Sequence, residues 1–503
     1  MTATINSPIA LPKPPIKQAK LYINGQWRSA SDGKTRPTIS PITETAIADI
    51  PEASEQDVED AILAARHAFD EGSWAKMSGH ERQKILTRVA ELIEKYADDL
   101  ALCETLDMGK AIYFAKTIDV YLLADLFRYY AGMAPEIDGV TRLVSPPPEH
   151  TPKHVTIVRE PLGVVAAITP FNFPLILAGT KIAPALAAGN TVIHKPASAT
   201  PLSAIKLAEI FDEAGLPPGV YNMVTGSGGR VGERLVKHPA INKISFTGST
   251  EVGIGIIRNS ADMLKKTTME LGGKSANIVF ADADLESAIA NAFFGIFYNK
   301  GEMCSAGSRL LIERSIHDAV VDGLVNYVSQ IKMGNPLDPE VLFGPLADAR
   351  QLQKVMQYVE YGKQDGATLR YGGERFYPDG TNGKGYYFQP TIFTNATNEM
   401  RIAQEEIFGP VLTVIPFDTE EEAIRIANGT NFGLASGVHT RDIKKAMRVA
   451  NAMQAGTCWI NCYNVYDVSV SFGGYKASGF GRENGKEVME NYTHTKAIWI
   501  DLS

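Results

Sequence analysis

The sequence predicts an α/β protein made of two parallel-sheet units with a small β arm. Three observations carry this. From residue 162 onward, short apolar runs alternate with helical stretches, the pattern of parallel strands joined by crossover helices. Gly272-Gly273 interrupts the alternation and splits it into two series. With 503 residues, the chain has room for two units of about 150–200 residues each and an N-terminal helical region.

In chain order, residues 1–20 contain Pro12-Lys13-Pro14-Pro15 and no apolar run of the secretory type. They read as a short flexible tail. Residues 21–28 read as a strand turned at Asn24-Gly25. At Ser54 a helix begins, with Asp57 placed to complete the cap and Val58, Ala61, Ile62, Ala65 and Phe69 on one face. A longer helix is expected over 79–106, with Ile85, Leu86, Val89, Leu92 and Ile93 on one side, and a third over 117–131. These helices read as packing elements, and Cys103 as a buried small apolar residue. Residues 141–158, with three prolines at 146–148, read as a hairpin leaving the main body. Residues 492–502 also alternate. The two segments could pair with each other or extend the sheet of another subunit.

The first alternating series has strands at 162–168, 191–194, 220–224, 244–246 and 277–280, with helices at 176–188 and 202–214. In the second, strands fall at 309–312, 411–416, 434–439 and 457–460, and helices at 316–331, 420–428 and 442–451. A cleft is expected where the two series join, at 269–274.

Composition narrows the function. Hydrophobic residues make up 45% and charged residues 21%, with a net charge of −8. This is an ordinary soluble composition without the basic surface that nucleic acid needs. No apolar run is long enough to span a bilayer. The four cysteines give neither a disulfide framework nor metal-ligand spacing, so no metal site is expected. Reduced thiols fit a cytoplasmic setting.

One cysteine has a different character. Cys304 stands among Gly301, Ser305, Ala306, Gly307 and Ser308, small residues that leave a thiol approachable. This polar setting lets a nearby dipole or cation favour the thiolate, the reactive form. Two glycine-rich stretches compete as a phosphate loop: Gly226–Gly232, with Val231 where a fingerprint glycine belongs, and Phe246–Gly253, a strand end opening into a helix.

Seven stretches in register settle the comparison: Pro170-Phe171-Asn172-Phe173-Pro174, Lys195-Pro196-Ala197-Ser198, Phe246–Gly253, Met269-Glu270-Leu271-Gly272-Gly273-Lys274, Gly301-Glu302-Met303-Cys304, Glu405–Pro410 and Phe472–Lys476. In order and spacing they resemble the aldehyde dehydrogenase superfamily, from about residue 20 to the C-terminus. The resemblance implies a Rossmann-like cofactor domain (21–139 and 159–271), an α/β catalytic domain (272–477) and oligomerisation segments (140–158 and 478–503). It also implies a homodimer or homotetramer, a small-molecule aldehyde as substrate, and NADP and/or NAD as cofactor.

The resemblance further assigns roles. Cys304 is the nucleophile; the Asn172 amide and the Cys304 N–H are oxyanion donors; Glu270 is the base that activates water. Lys181 and Glu483 form a proton-relaying pair. Lys195 and Ser198 fall at the adenosine ribose and Ser249 at the pyrophosphate. Ile168 and Phe171 lie alongside the dinucleotide, while Glu406 and Phe408 hold its nicotinamide end. Thr169, Gly228, Gly248, Gly253 and Leu271 complete the cofactor set. Phe173, Leu177, Thr180, Met303, Tyr466 and Phe472 match pocket positions and suggest a roomy apolar funnel for neutral aliphatic or aromatic aldehydes. Asp467 is an unexplained acid at its mouth. Two other readings stay open: a CoA-acylating enzyme, against which the retained Glu270 argues, and a catalytically inactive scaffold, against which the set Cys304, Asn172 and Glu270 argues.

Two departures bear on specificity. Glu302 stands where glutamine is common. Ser198 stands where many NAD-preferring members carry a glutamate that would repel a 2′-phosphate, so NADP is expected to be accepted, with Lys195 available to the phosphate. Ser198→Glu is expected to move the kcat/KM ratio toward NAD. Steady-state rates with both cofactors check this, and a wild-type preference for NAD of several orders of magnitude contradicts the reading of Ser198.

Overall fold

Five parallel strands form the centre of the first sheet: Val164–Ile168, Thr191–Lys195, Tyr221–Met223, Lys243–Thr247 and Lys266–Glu270. A computed structural model describes residues 9–148 and 150–502 of the chain. Counted along the chain, these five strands lie in the spatial order 3-2-1-4-5. Their residues are buried almost throughout, as parallel strands covered by helices require. The order reverses between Val164–Ile168 and Lys243–Thr247. Sheets of this kind bind ligands beyond the carboxyl ends of their strands at such a reversal. The hairpin of Leu21–Ile23 and Gln26–Arg28 extends one edge, and Gly479–Phe480 closes the other. Asn24 and Gly25 adopt φ of 52° and 72°, as a two-residue hairpin turn needs.

Seven strands make the second sheet, in the order Thr368–Tyr371, Thr391–Thr394, Val411–Phe417, Arg309–Glu313, Ala276–Val279, Ala435–His439, Thr457–Ile460. All pairs are parallel except the first. The chain crosses between the sheets just after Glu270 and enters the second at Ala276. A Cβ on Gly272 would lie 2.5 Å from Glu406 Oε2, and one on Gly273 2.2 Å from the Cys304 carbonyl oxygen. The glycine pair is therefore required for close approach, beyond any punctuation of the sequence.

The two isolated segments pair with each other. Thr493–Asp501 runs antiparallel to Lys153–Pro161, which also pairs with Val140–Val144, giving a three-stranded sheet. The arm's C-terminal strand starts only at Thr493; the segment from 478 first supplies Gly479–Phe480 to the large sheet.

Several expectations are corrected. The 79–106 helix is two helices, Gly79–Lys95 and Ala97–Met108, because Tyr96 leaves helical geometry (φ −103°, ψ 26°). One apolar stripe continues across the break, which hides it in the sequence. The third helical region starts at Ile112 and reaches Met133 through a π-turn at Ala115–Val120. Residues 1–8 of the expected tail lie outside the described residues. Residues 9–20 are held against the body: the Ile9 N–H donates to the Gly380 carbonyl, and the Lys17 N–H to Glu209 Oε1 at 2.6 Å. The hairpin of Thr35–Ser40 and Thr45–Pro51 and the helix Ala349–Gln364 had no counterpart in the sequence reading. At Ser54 the cap is as predicted, with Ser54 and Asp57 each accepting the other's backbone N–H. Cys103 is fully buried. Among the described residues, no helix is long and apolar enough to cross a membrane.

Candidate active site

Three consecutive residues of left-handed backbone come shortly before Cys304. Asn299 (φ 48°, ψ 35°), Lys300 (φ 58°, ψ 25°) and Gly301 (φ 71°) close a tight turn just before Glu302, Met303 and Cys304. Two of them are not glycine, and such backbone persists only where surrounding contacts hold it. A Cβ on Gly301 would lie 2.2 Å from the Gly409 carbonyl oxygen, so glycine is needed there. Asn299 Nδ2 donates to the carbonyls of Asn172 (2.9 Å) and Glu302 (3.1 Å). Asn172 Nδ2 in turn donates to the Glu302 carbonyl at 3.0 Å. Asn172 sits just ahead of the helix Pro174–Ala187, whose first position is fixed by Pro174.

Cys304 lines two cavities at once. The larger, of about 710 Å³, opens at the carboxyl ends of the first sheet's strands and also meets Asn172, Leu271 and Glu406. The smaller, of about 120 Å³, holds all six expected pocket residues: Phe173, Leu177, Thr180, Met303, Tyr466 and Phe472. It is apolar as predicted but narrow. The rings of Phe173, Phe294, Tyr298, Tyr466 and Phe472 fill what the sequence suggested would be a roomy funnel. Tyr466 is fixed by its hydroxyl on Ser305 Oγ at 2.6 Å and by an edge contact with Phe472, centroids 5.6 Å apart. Asp467 is exposed at the rim and is occupied by Ser469, accepting its N–H at 2.8 Å.

Glu270 ends the strand Lys266–Glu270, buried, with no hydrogen-bond partner on either carboxylate oxygen. Burial first, and then the nearby Glu483 charge, hold its carboxyl well above the usual range, against the pull of the Lys181 cation. Lys181 forms a buried ion pair with Glu483 and donates to Thr247 Oγ1 at 2.6 Å. The other Glu483 oxygen accepts from Thr180 Oγ1 at 2.7 Å. Burial, then Glu270 and Glu406, push the Cys304 thiol up to about 12, opposed only in part by the backbone N–H groups of Ser305 and Cys304. The thiolate is thus disfavoured, with no cation beside the sulfur among the causes of the shift. Residues on either side of the sulfur are small, as read, but the charges facing it are negative.

Ten expected cofactor residues line the larger cavity: Ile168, Thr169, Phe171, Lys195, Gly228, Gly248, Ser249, Leu271, Glu406 and Phe408. Ser249 caps the helix Thr250–Ser260, whose first N–H groups stand at the cavity wall. Glu406 Oε1 accepts from the Gly273 N–H at 2.9 Å, and Phe171 meets Phe408 edge-on at 5.7 Å. Gly228 and Gly229 face open space where a Cβ would stand. A helix start for a pyrophosphate, an apolar wall and a volume in the usual ligand range together fit a dinucleotide. Two expected members do not line the cavity. A Cβ on Gly253 would lie 2.6 Å from Leu271 Cδ2, so Gly253 serves close packing. Ser198 turns its hydroxyl to the Gly226 carbonyl at 2.8 Å, beside Arg36, which donates to the Ser198 carbonyl.

The family profile described as "Aldehyde dehydrogenase family" matches residues 27–498. The chain belongs to the aldehyde dehydrogenase family. It is 47% identical to the betaine aldehyde dehydrogenase of Bacillus subtilis (strain 168), over 95% of this chain and 96% of that protein. Identity to the mitochondrial benzaldehyde dehydrogenase of Antirrhinum majus is 44%, over 99% of this chain and 91% of that protein. The solved NAD+ complex of an aldehyde dehydrogenase from Bacillus cereus superposes with a TM-score of 0.93 at 45% identity, covering 97% of each chain.

Among the residues of this dehydrogenase's larger cavity that sequence reasoning missed are Gln351 and Lys354. Both come from the helix Ala349–Gln364. Gln351 Nε2 donates to the carbonyls of Ile407 (3.1 Å) and Phe408, and the Lys354 cation draws on Glu406. A signal existed: Asp348 is an N-cap, and Leu352, Val355 and Val359 form one buried face.

The charges around the sulfur give a prediction. Alkylation of Cys304 by iodoacetamide should rise about tenfold per pH unit from pH 7 to 10 without a plateau, since only the thiolate reacts. Glu270→Gln removes a carboxylate that disfavours the thiolate, so its alkylation should be faster at every pH in that range. Slower alkylation in this variant would contradict the electrostatics.

Proposed function

We propose that this dehydrogenase oxidises compact apolar aldehydes to carboxylic acids, using NAD or NADP, through covalent intermediates on Cys304. The observation that supports it most is that Cys304 belongs to both cavities, so one sulfur stands between an aldehyde pocket and a dinucleotide pocket. Attack of the Cys304 sulfur on the carbonyl carbon forms a C–S bond and an oxyanion, the thiol proton passing by way of Glu270 to the Lys181–Glu483 pair. The Asn172 amide and the Cys304 N–H are the donors for that oxyanion, each contributing about 3 kcal/mol by comparison with similar donors. Ser249, Glu406 and Phe408 would hold a nicotinamide dinucleotide, which would supply the hydride acceptor for oxidation of the Cys304 adduct to a thioester. Glu270 then takes a proton from water as the water attacks that thioester. The acyl group leaves as the acid, and the proton held by Glu270 returns to the Cys304 sulfur to restore the thiol.

Substrate size follows from the smaller cavity. An apolar cavity of about 150 Å³ holds benzene, so the roughly 120 Å³ here suits one ring or a short chain. The benzaldehyde dehydrogenase among the relatives points the same way. A quaternary ammonium aldehyde, as the name of the Bacillus subtilis relative suggests, is the second reading; the aromatic rings would support it, while the occupied, exposed Asp467 adds little.

For the cofactor, burial and the Arg36 charge hold Lys195 down at about 8, and its Nζ rests on the Pro196 carbonyl at 2.9 Å. Two cations beside Ser198 favour a 2′-phosphate. The division into a cofactor domain, a catalytic domain and an oligomerisation arm is part of the same proposal. Exposed Ile498, Trp499 and Ile500 on the arm favour a homo-oligomer.

A panel of benzaldehyde, short aliphatic aldehydes and betaine aldehyde should give the highest kcat/KM for the uncharged compact members. In Glu270→Gln, kcat should fall by about 10²–10⁴, with reduced cofactor appearing in one stoichiometric burst and an acyl adduct on Cys304 by intact mass. Full turnover in that variant, or release only upon adding CoA, would contradict hydrolysis by Glu270.

A further inference from the structure

A buried ion pair lies directly behind the nucleophile, and the chemistry above makes no use of it. Lys300 Nζ stands 3.2 Å from Glu302 Oε2, and the two side chains are 2% and 0% exposed. The second Glu302 oxygen accepts the Ala347 N–H at 3.0 Å. Lys300 Nζ also donates to the Met108 carbonyl at 3.3 Å. The pair therefore ties the left-handed turn 299–301 to two separate parts of the chain, near Met108 and near Ala347. Meanwhile the Glu302 main-chain carbonyl accepts two amides, from Asn172 at 3.0 Å and Asn299 at 3.1 Å.

We infer that Lys300 and Glu302 are positioning residues: their ion pair fixes the Glu302 carbonyl, and that carbonyl aims the Asn172 amide at the oxyanion. An amide nitrogen carries two hydrogens. Holding one on the Glu302 carbonyl directs the other into the cavity that Asn172 and Cys304 share. The constraint is needed because Asn299 and Lys300 occupy backbone that L-residues rarely adopt. Without a tether on each side, the turn has a lower-energy alternative, and the carbonyl would drift with it. Burial raises Glu302 to about 7 and lowers Lys300 to about 8, so each side chain depends on the other to stay charged. This explains the acid at a position where the related enzymes commonly carry glutamine. A buried lysine two residues earlier makes a carboxylate the fitting partner.

This inference rests on the proposed oxyanion role of Asn172, and the test separates the two. Wild type, E302Q, N172A, the double variant E302Q with N172A, and the neutral pair K300Q with E302Q are compared by steady-state kinetics, with thermal unfolding as the fold control. E302Q leaves a buried lysine unpaired. Its kcat should fall about 10- to 100-fold while KM stays within about threefold. In the N172A background the same change should cost less than about threefold, because the group it positions is already gone. The neutral pair should recover kcat to within about fivefold of wild type. If E302Q does not fold, K300M leaves Glu302 unpaired instead and should show the same loss and the same dependence on Asn172. Losses that multiply in the double variant, or an E302Q enzyme with wild-type kcat, overturn the positioning role. A wild-type kcat unaffected by N172A overturns the oxyanion reading, and the inference with it.

Discussion

Close backbone approach at Gly272-Gly273 is the constraint on which the rest of this molecule depends. Glu270 ends a strand of the first sheet and Cys304 lies on the loop leading into Arg309–Glu313 of the second, and the chain linking the sheets passes between Glu406 and the Cys304 backbone where only glycine fits. A Cβ on Gly273 would stand 2.2 Å from the Cys304 carbonyl oxygen, and one on Gly272 2.5 Å from a carboxylate oxygen of Glu406. Glu270, the loop that carries Cys304, and Glu406 therefore meet across two glycines. Each group arrives from its own element, so the geometry is set by sheet packing and leaves little to loop flexibility.

Once assembled, the site carries an excess of buried carboxylates. Glu270, Glu406 and Glu483 lie close together, with Lys181 as the cation in contact with one of them. The thiol and Glu270 are both driven toward their protonated forms by this arrangement. A resting site that keeps its sulfur protonated is protected from adventitious oxidation, since the thiolate is the vulnerable form.

Much of this was legible in the sequence, for identifiable reasons. The strand 164–168 is a continuous apolar run, short, β-branched at three of five positions and preceded by Gly163, which marks it as a buried strand. Cys304, Asn172 and Glu270 stood out because their motifs are local. Other features escaped because they depend on partners distant along the chain. The helix break at Tyr96 falls within an unbroken apolar stripe. Gln351 and Lys354 sit on an amphipathic helix whose exposed-looking polar face meets a cavity. The width of the aldehyde pocket is set by five rings converging from separate segments, so composition alone suggested more room than exists. The direction of the Cys304 shift was not legible for a related cause: small neighbours in sequence say nothing of the burial and the carboxylates that folding brings to them.

The most direct test of the account is to follow aldehyde oxidation in Cys304→Ala, with circular dichroism confirming the fold. A covalent sulfur intermediate requires the rate to fall by about 10⁴-fold or more, with cofactor binding intact. An alanine variant that still produces acid at the wild-type rate would show that the carbonyl carbon gives up its hydride without first being joined to this sulfur, and the roles assigned here would not stand.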